Sequence, residues 1–211
     1  MAFLDALLLP ACPGCSSLLL PGQPSLAGDF RPFCRACREE WPAASFTLGN
    51  QHALGLYEGA LKKWVLRGKE GPSSGVLAPL ADAMRARILK LELPRGVLVP
   101  VPASLERRRR GWHLAEALAG SLADRLGWPR ADLLRRRLFR KKQALLGAQE
   151  RRLNMRGAFK RGRRGPPGPT WLVDDVRTTG ATLSEGSRVL SESGRRVRGS
   201  LLLAQAPLHA F

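Results

Sequence analysis

Acidic residues are scarce in this chain. Seventeen Asp or Glu stand against 35 Lys or Arg, leaving a formal net charge of +18 over 211 residues. A surface of that sign draws polyanions and repels basic partners. Lysine is also scarce, occurring only at Lys62, Lys63, Lys69, Lys90, Lys141, Lys142 and Lys160. A GC-rich genome accounts for arginine in place of lysine, but not for the excess of bases over acids. Long apolar runs are missing, since no stretch approaches the roughly 18 uninterrupted apolar residues of a membrane span. Met1 to Pro10 carries an acid, Asp5, where a secretory leader would carry positive charge, and its apolar run stops at Pro10. The expectation is a cytoplasmic protein without a membrane span. Exposed aromatic runs are absent too, so no base-stacking platform accompanies the arginines.

What remains is globular. With 44% hydrophobic and 25% charged residues, the chain can bury one α/β core and carry a small appendage. The charge is concentrated. Between Arg95 and Arg164 there are twenty Lys or Arg and five Asp or Glu, clustered at Arg107 to Arg110, Arg135 to Arg137, Arg140 to Lys142, Arg151 with Arg152, and Lys160 to Arg164. Two partners compete for this region. One is a nucleic-acid backbone, whose binding would weaken steeply with salt; the other is a small polyanion that needs only a few of the cations.

There are only four cysteines, in two pairs: Cys12-Pro-Gly-Cys15 and Cys34-Arg-Ala-Cys37. Eighteen residues lie between the pairs, within the Cys-x₂-Cys-x₁₅₋₂₀-Cys-x₂-Cys pattern of a tetrahedral zinc site. Two disulfides would need an oxidising compartment, for which the chain offers no export signal. The reading is therefore a zinc-ribbon segment over residues 1–45, with Cys12, Cys15, Cys34 and Cys37 as metal ligands and a second domain over 46–211.

In the second domain, periodicity sets out alternating elements. Trp41 to Gln51 reads as a linker, followed by a short strand over His52 to Leu56. A helix then runs from Tyr57 to Arg67 and is ended by Gly68, Gly71 and Pro72. The apolar spacing of Val76 to Leu91 predicts an amphipathic helix. Gly96 to Pro102 reads as a buried strand that frays at its prolines, and Ala103 to Trp112 as an arginine-rich loop. A helix over Trp112 to Leu126 ends at Gly127, and Leu133 to Phe139 forms a short strand or turn. A helix is expected near Ala148 to Met155 and a flexible loop over Arg161 to Pro169. A strand over Trp171 to Asp174, a helix over Thr182 to Ser193 and a strand over Val197 to Ala204 complete a βαβ unit. Alternation of this kind implies a parallel sheet with its site at the carboxyl ends of the strands.

The most specific pattern is Trp171-Leu-Val-Asp-Asp-Val-Arg-Thr-Thr-Gly-Ala-Thr-Leu183. An apolar strand ends in Asp174 and Asp175, placed to accept hydrogen bonds from vicinal ribose hydroxyls. The loop Arg177, Thr178, Thr179, Gly180, Ala181 and Thr182 brings backbone N–H groups, hydroxyls and a helix start to a phosphate. Each piece alone is an ordinary turn or helix cap. In this order they resemble the 5-phosphoribosyl-1-pyrophosphate (PRPP) motif of type I phosphoribosyltransferases.

With the four cysteines, the chain then resembles the ComF family of competence proteins over nearly its whole length. The resemblance includes Tyr57-Glu-Gly-Ala60, Arg67-Gly-Lys69, Val99-Pro-Val-Pro102, Arg108-Arg-Arg-Gly-Trp112, Gln143, Arg152-Leu-Asn154, Gly157-Ala-Phe159 and Leu172 to Thr182. It departs from the family pattern at His113-Leu114, where members carry Asn-Gln, and at Arg177, where a small or apolar residue is usual. The resemblance implies a type I phosphoribosyltransferase-like parallel sheet with helices on both faces, structural zinc, and PRPP bound with Mg²⁺. It also implies a part in handling single-stranded DNA during natural transformation, in company with DNA-uptake or helicase machinery. Asp174 and Asp175 are the expected catalytic pair, with Arg109 and Arg110 beside the pyrophosphate. Turnover of PRPP, ligand binding without turnover, and a purely adaptor role all remain open at this point.

Overall fold

The computed structural model describes residues 12, 14–15, 17, 34–39, 46–103, 111–137 and 156–207. A short helix α1 (Arg35–Glu39) precedes strands β1 (Phe46–Leu48) and β2 (Gln51–Leu56) and helices α2 (Gly59–Glu70) and α3 (Leu77–Lys90). Strand β3 (Val97–Pro100), helix α4 (Leu114–Leu126), and the short strands β4 (Leu134–Arg136) and β5 (Phe159–Arg161) follow. The chain closes with β6 (Thr170–Arg177), α5 (Ala181–Glu192) and β7 (Val197–Gln205).

Five strands form one sheet in the order β1-β2-β7-β6-β3, parallel except for the β1–β2 hairpin. Strand interiors are apolar at consecutive positions because both faces are covered. On one face, Leu54, Leu98, Val173, Leu201 and Leu203 pack with Leu61 and Trp64 of α2, Leu80 and Met84 of α3, and Leu118 and Leu122 of α4. On the other, Ala53, Val97, Val99, Leu172 and Leu202 meet Leu183, Val189 and Leu190 of α5 and two residues of the β4–β5 pair, Leu134 and Phe159. The expected mixed α/β architecture is therefore present, with a mostly parallel central sheet and helices on both faces. β4 and β5 pair only with each other, antiparallel, and lie over α5.

Several boundaries differ from the sequence expectation. The stretch expected as a linker contains β1, because Phe46 packs into the second core cluster and residues 46–48 pair with 51–53 across a tight turn. Of the residues expected to end α2, Gly71 stands at its C-cap but Gly68 lies inside it. The helix continues to Glu70, and the missing side chain admits Leu114, whose methyls would lie 3.1 Å from a Cβ at that position. β6 does not stop at Asp174 but continues through both acids, since Val176 and Arg177 pair with Ala204 and Gln205. Leu91 is 39% exposed and lies one residue past the end of α3, so it is not core. The loop after β5 is pinned by donation from Gly162 N–H to the Leu133 carbonyl (2.7 Å) and from Arg195 Nη2 to the Gly165 carbonyl (2.8 Å). The helix expected near 148–155 lies outside the described residues, as do Arg109 and Arg110. Among the described residues, no helix is long and apolar enough to cross a membrane.

Candidate functional site

Three elements converge at the carboxyl edge of the sheet. β6 delivers Asp174 and Asp175, both buried at 9% and 4% exposure. Burial of two adjacent carboxylates is costly unless donors or cations meet them. Asp174 Oδ1 accepts the backbone N–H of Asp175 at 2.9 Å, and Asp175 Oδ1 accepts that of Val176 at 2.6 Å. The cation comes from α2: Lys69 Nζ lies 3.1 Å from Asp175 Oδ2. Lys69 also lies 5.9 Å from the centre of the Tyr57 ring, and Tyr57 N–H donates to the Gln205 carbonyl at the end of β7. Trp112, just before α4, donates its indole N–H to the Gly68 carbonyl in the last turn of α2 at 2.7 Å.

The segment between β6 and α5 is only Thr178 to Gly180. Gly180 takes φ +77°, a left-handed conformation that suits glycine, and stands at the N-cap of α5. Thr179 Oγ1 accepts the Ala181 N–H at 3.4 Å. Arg177 does not simply face solvent: its Nη1 donates to Gln205 Oε1 at 2.7 Å, and its Nε would be 2.9 Å from a Cβ on Gly180. One turn into α5, the buried Glu185 accepts the Gly157 N–H at 2.6 Å and takes Arg188 in a two-point bridge at 2.8 and 2.9 Å. Glu185, then Glu192, holds the Arg188 guanidinium above the ordinary arginine range. A cavity of about 570 Å³ opens here, lined by Arg156, Arg177, Thr179, Gly180, Ser184 and Arg188 among others. Glu185 lines the cavity too and already holds Arg188, so the backbone donors at the helix start, with Arg156 and Arg177, are what suit a phosphate here.

A second cavity, of about 450 Å³, adjoins the end of β3. Pro100, Pro102 and Leu134 line it beside Arg135, Arg136, Lys160 and Arg163. Four cations stand against two acids, Glu116 and Asp132, and Asp132 lies 3.0 Å from Arg130. The cations therefore dominate the cavity's field.

The four cysteines expected as ligands come together. One sulfur from each of Cys12, Cys15, Cys34 and Cys37 lies within 4.8 Å of the others, and none is in a disulfide. A zinc ion with Zn–S bonds of about 2.3 Å places its tetrahedral sulfurs roughly 3.8 Å apart, so the set fits. Hydrogen bonding to the Ser17 hydroxyl, and then to its backbone, lowers the Cys15 thiol to about 6, whereas burial pushes Cys37 up. Cys34 N–H donates to Cys12 Sγ at 3.2 Å, the kind of contact that supports a thiolate ligand. The two buried members, Cys12 and Cys37, pack into the larger core cluster. The cluster is positioned to hold a metal ion.

Of the residues expected at the sugar-phosphate site, the structure brings together Asp174, Asp175, Arg177, Thr178, Thr179, Gly180, Ala181 and Thr182 along one continuous stretch. It adds Lys69, Gln205 and Glu185, to which the sequence pattern gives no role. The only signal for Lys69 is its place in Arg67-Gly-Lys69; Gln205 and Glu185 leave none.

No protein-family model matches the chain. Competence protein F of Haemophilus influenzae is 36% identical over 118 residues, covering 54% of this chain and 50% of that protein. Over that stretch the chain is similar to this competence protein. The chain spans about half the length of the curated relative it matches, and its four-cysteine cluster fits a zinc ribbon.

Proposed function

We propose that this protein binds PRPP at the carboxyl edge of its sheet and acts, in a competence-related role, on single-stranded DNA. The observation that carries the reading is the joining of two buried acids on β6 to a three-residue loop and the start of α5. Asp174 and Asp175 serve the sugar, Thr178 to Thr182 the 5-phosphate, and the arginine loop containing Arg109 and Arg110 the pyrophosphate with its Mg²⁺. The name of the Haemophilus relative supports the competence role. The cavity beneath β4 and β5 supports a nucleic-acid partner, because Arg135, Lys160 and Arg163 offer cations to backbone phosphates at a site open to a strand. Residues 1–45 are read as a zinc-ribbon segment held by Cys12, Cys15, Cys34 and Cys37, and 46–211 as the phosphoribosyltransferase-like domain.

Calorimetry with PRPP and Mg²⁺ tests the central claim, with heat expected from wild type and a much weaker response from Asp174→Asn. Absence of heat from wild type would overturn it. An active transferase is the alternative, in which loop amides and cations stabilise the departing pyrophosphate while an acceptor attacks the ribose. Release of pyrophosphate from PRPP in the presence of nucleobases would favour that alternative over binding alone.

A further inference from the structure

Asp175 and Lys69 form a pair of unequal exposure. The carboxylate side chain is 6% exposed and the lysine side chain 27%. Asp175 Oδ1 is occupied by the Val176 N–H and Oδ2 faces the ammonium. The lysine comes from the last turn of a helix held in place from two sides: Trp112 binds the Gly68 carbonyl, and Leu114 fills the space that Gly68 leaves empty. An ammonium has three N–H donors. Asp175 takes one direction and the Tyr57 ring lies over another, while the side chain keeps 27% of its surface open.

We propose that Lys69 is a ligand-contacting cation of this site and that Asp175 acts through it, as the carboxylate that aims the ammonium at an anionic oxygen of the sugar phosphate. This rests on the PRPP reading and divides the two acids, leaving Asp174 as the direct partner of the ribose. Of the Asp175 and Lys69 pair, the member left partly open is the one with donors to offer.

The test uses four full-length proteins: wild type, Lys69→Met, Asp175→Asn and the double variant. Each is measured for affinity toward PRPP with Mg²⁺ and for thermal stability. Lys69→Met should weaken binding about ten- to a hundredfold, the range for loss of a charge-assisted hydrogen bond, and should lower the melting temperature by leaving a buried carboxylate without its cation. Asp175→Asn should weaken binding to a similar degree. In the double variant neither charge is left without its partner, so stability should recover while affinity stays low, with no loss beyond the worse single variant. If the double variant regained both stability and affinity, or if Lys69→Met bound like wild type, Lys69 would be a structural counter-ion and the proposal would fall. No binding by wild type would overturn the PRPP reading itself, and this proposal with it.

Discussion

The cysteine cluster and the carboxylate pair both crowd like groups that repel one another when ionised, yet the molecule assembles them in opposite ways. Cys12 and Cys15 come from a short turn and Cys34 and Cys37 from the start of the five-residue helix α1, so their own segments carry no strand or long helix among the described residues, although Cys12 and Cys37 rest against the larger core cluster. Asp174 and Asp175 stand on a strand with neighbours on both sides, paired through Asp174↔Leu202 and Val176↔Ala204. A site built from turns needs its metal as part of the fold, because ligand binding and folding are one free energy there. The carboxylate site is built before any ligand arrives, since core packing on both faces holds its strand.

The largest effect should follow from removing the metal. Chelation, or Cys34→Ser, should abolish stoichiometric zinc and unfold the amino-terminal segment while the sheet persists; far-ultraviolet circular dichroism with metal analysis would show this. Retention of one zinc per chain in Cys34→Ser would break the contrast, because the segment would then not depend on four thiolates.

On the prebuilt side, losses should be in affinity rather than folding. Asp174→Asn is expected to weaken PRPP binding about ten- to a hundredfold with little change in melting temperature. Gly180→Val should do at least as much damage, because a branched side chain is strained at φ +77° and its Cβ meets Arg177. If Gly180→Val bound normally, the loop would not be approached closely by a phosphate.

A smaller effect should appear at the basic cavity. Replacing Arg135 and Arg163 by Ser should reduce the slope of log affinity for single-stranded DNA against log salt by roughly 0.7 for each phosphate that is no longer neutralised. An unchanged slope would assign the positive charge of that region to composition alone.

The smallest effect concerns His52, on the strand that carries the hairpin. Burial first, and then Arg87, lowers its pKa from the usual 6.5. The folded protein therefore binds fewer protons here than the unfolded chain, so this histidine costs stability as pH falls below 6.5. His52→Gln should flatten that acid-side decline in a series of melting temperatures between about pH 7 and pH 5. An unaltered pH profile would mean that the ring is not titrating against the fold.

How much was legible beforehand follows from the range of each interaction. The helix over Val76 to Leu91 and the one ending at Gly127 could be read because apolar spacing and a left-handed cap act within a few residues. The hairpin strand β1 was missed because three residues at an edge carry almost no period, and their pairing with β2 depends on a tight turn that looks like linker. Gly68 was misread as a helix stop because glycine is usually a breaker; its reason for being there is Leu114, which arrives from another helix.

The sequence by itself determined which chemical groups sit together in the two sites: four thiols in two Cys-x-x-Cys turns, and two acids running into a hydroxyl-rich loop. Each Cys-x-x-Cys pair and the acid-and-loop stretch is local, so residue order is enough to assemble it. Only the tertiary structure decided how the groups are partnered. It set Lys69 against Asp175, Arg177 against Gln205 and Glu185 against Gly157, because each pair joins elements distant in the chain that meet only once both faces of the sheet are covered and a buried charge must find the cation or donor that packing has brought within reach.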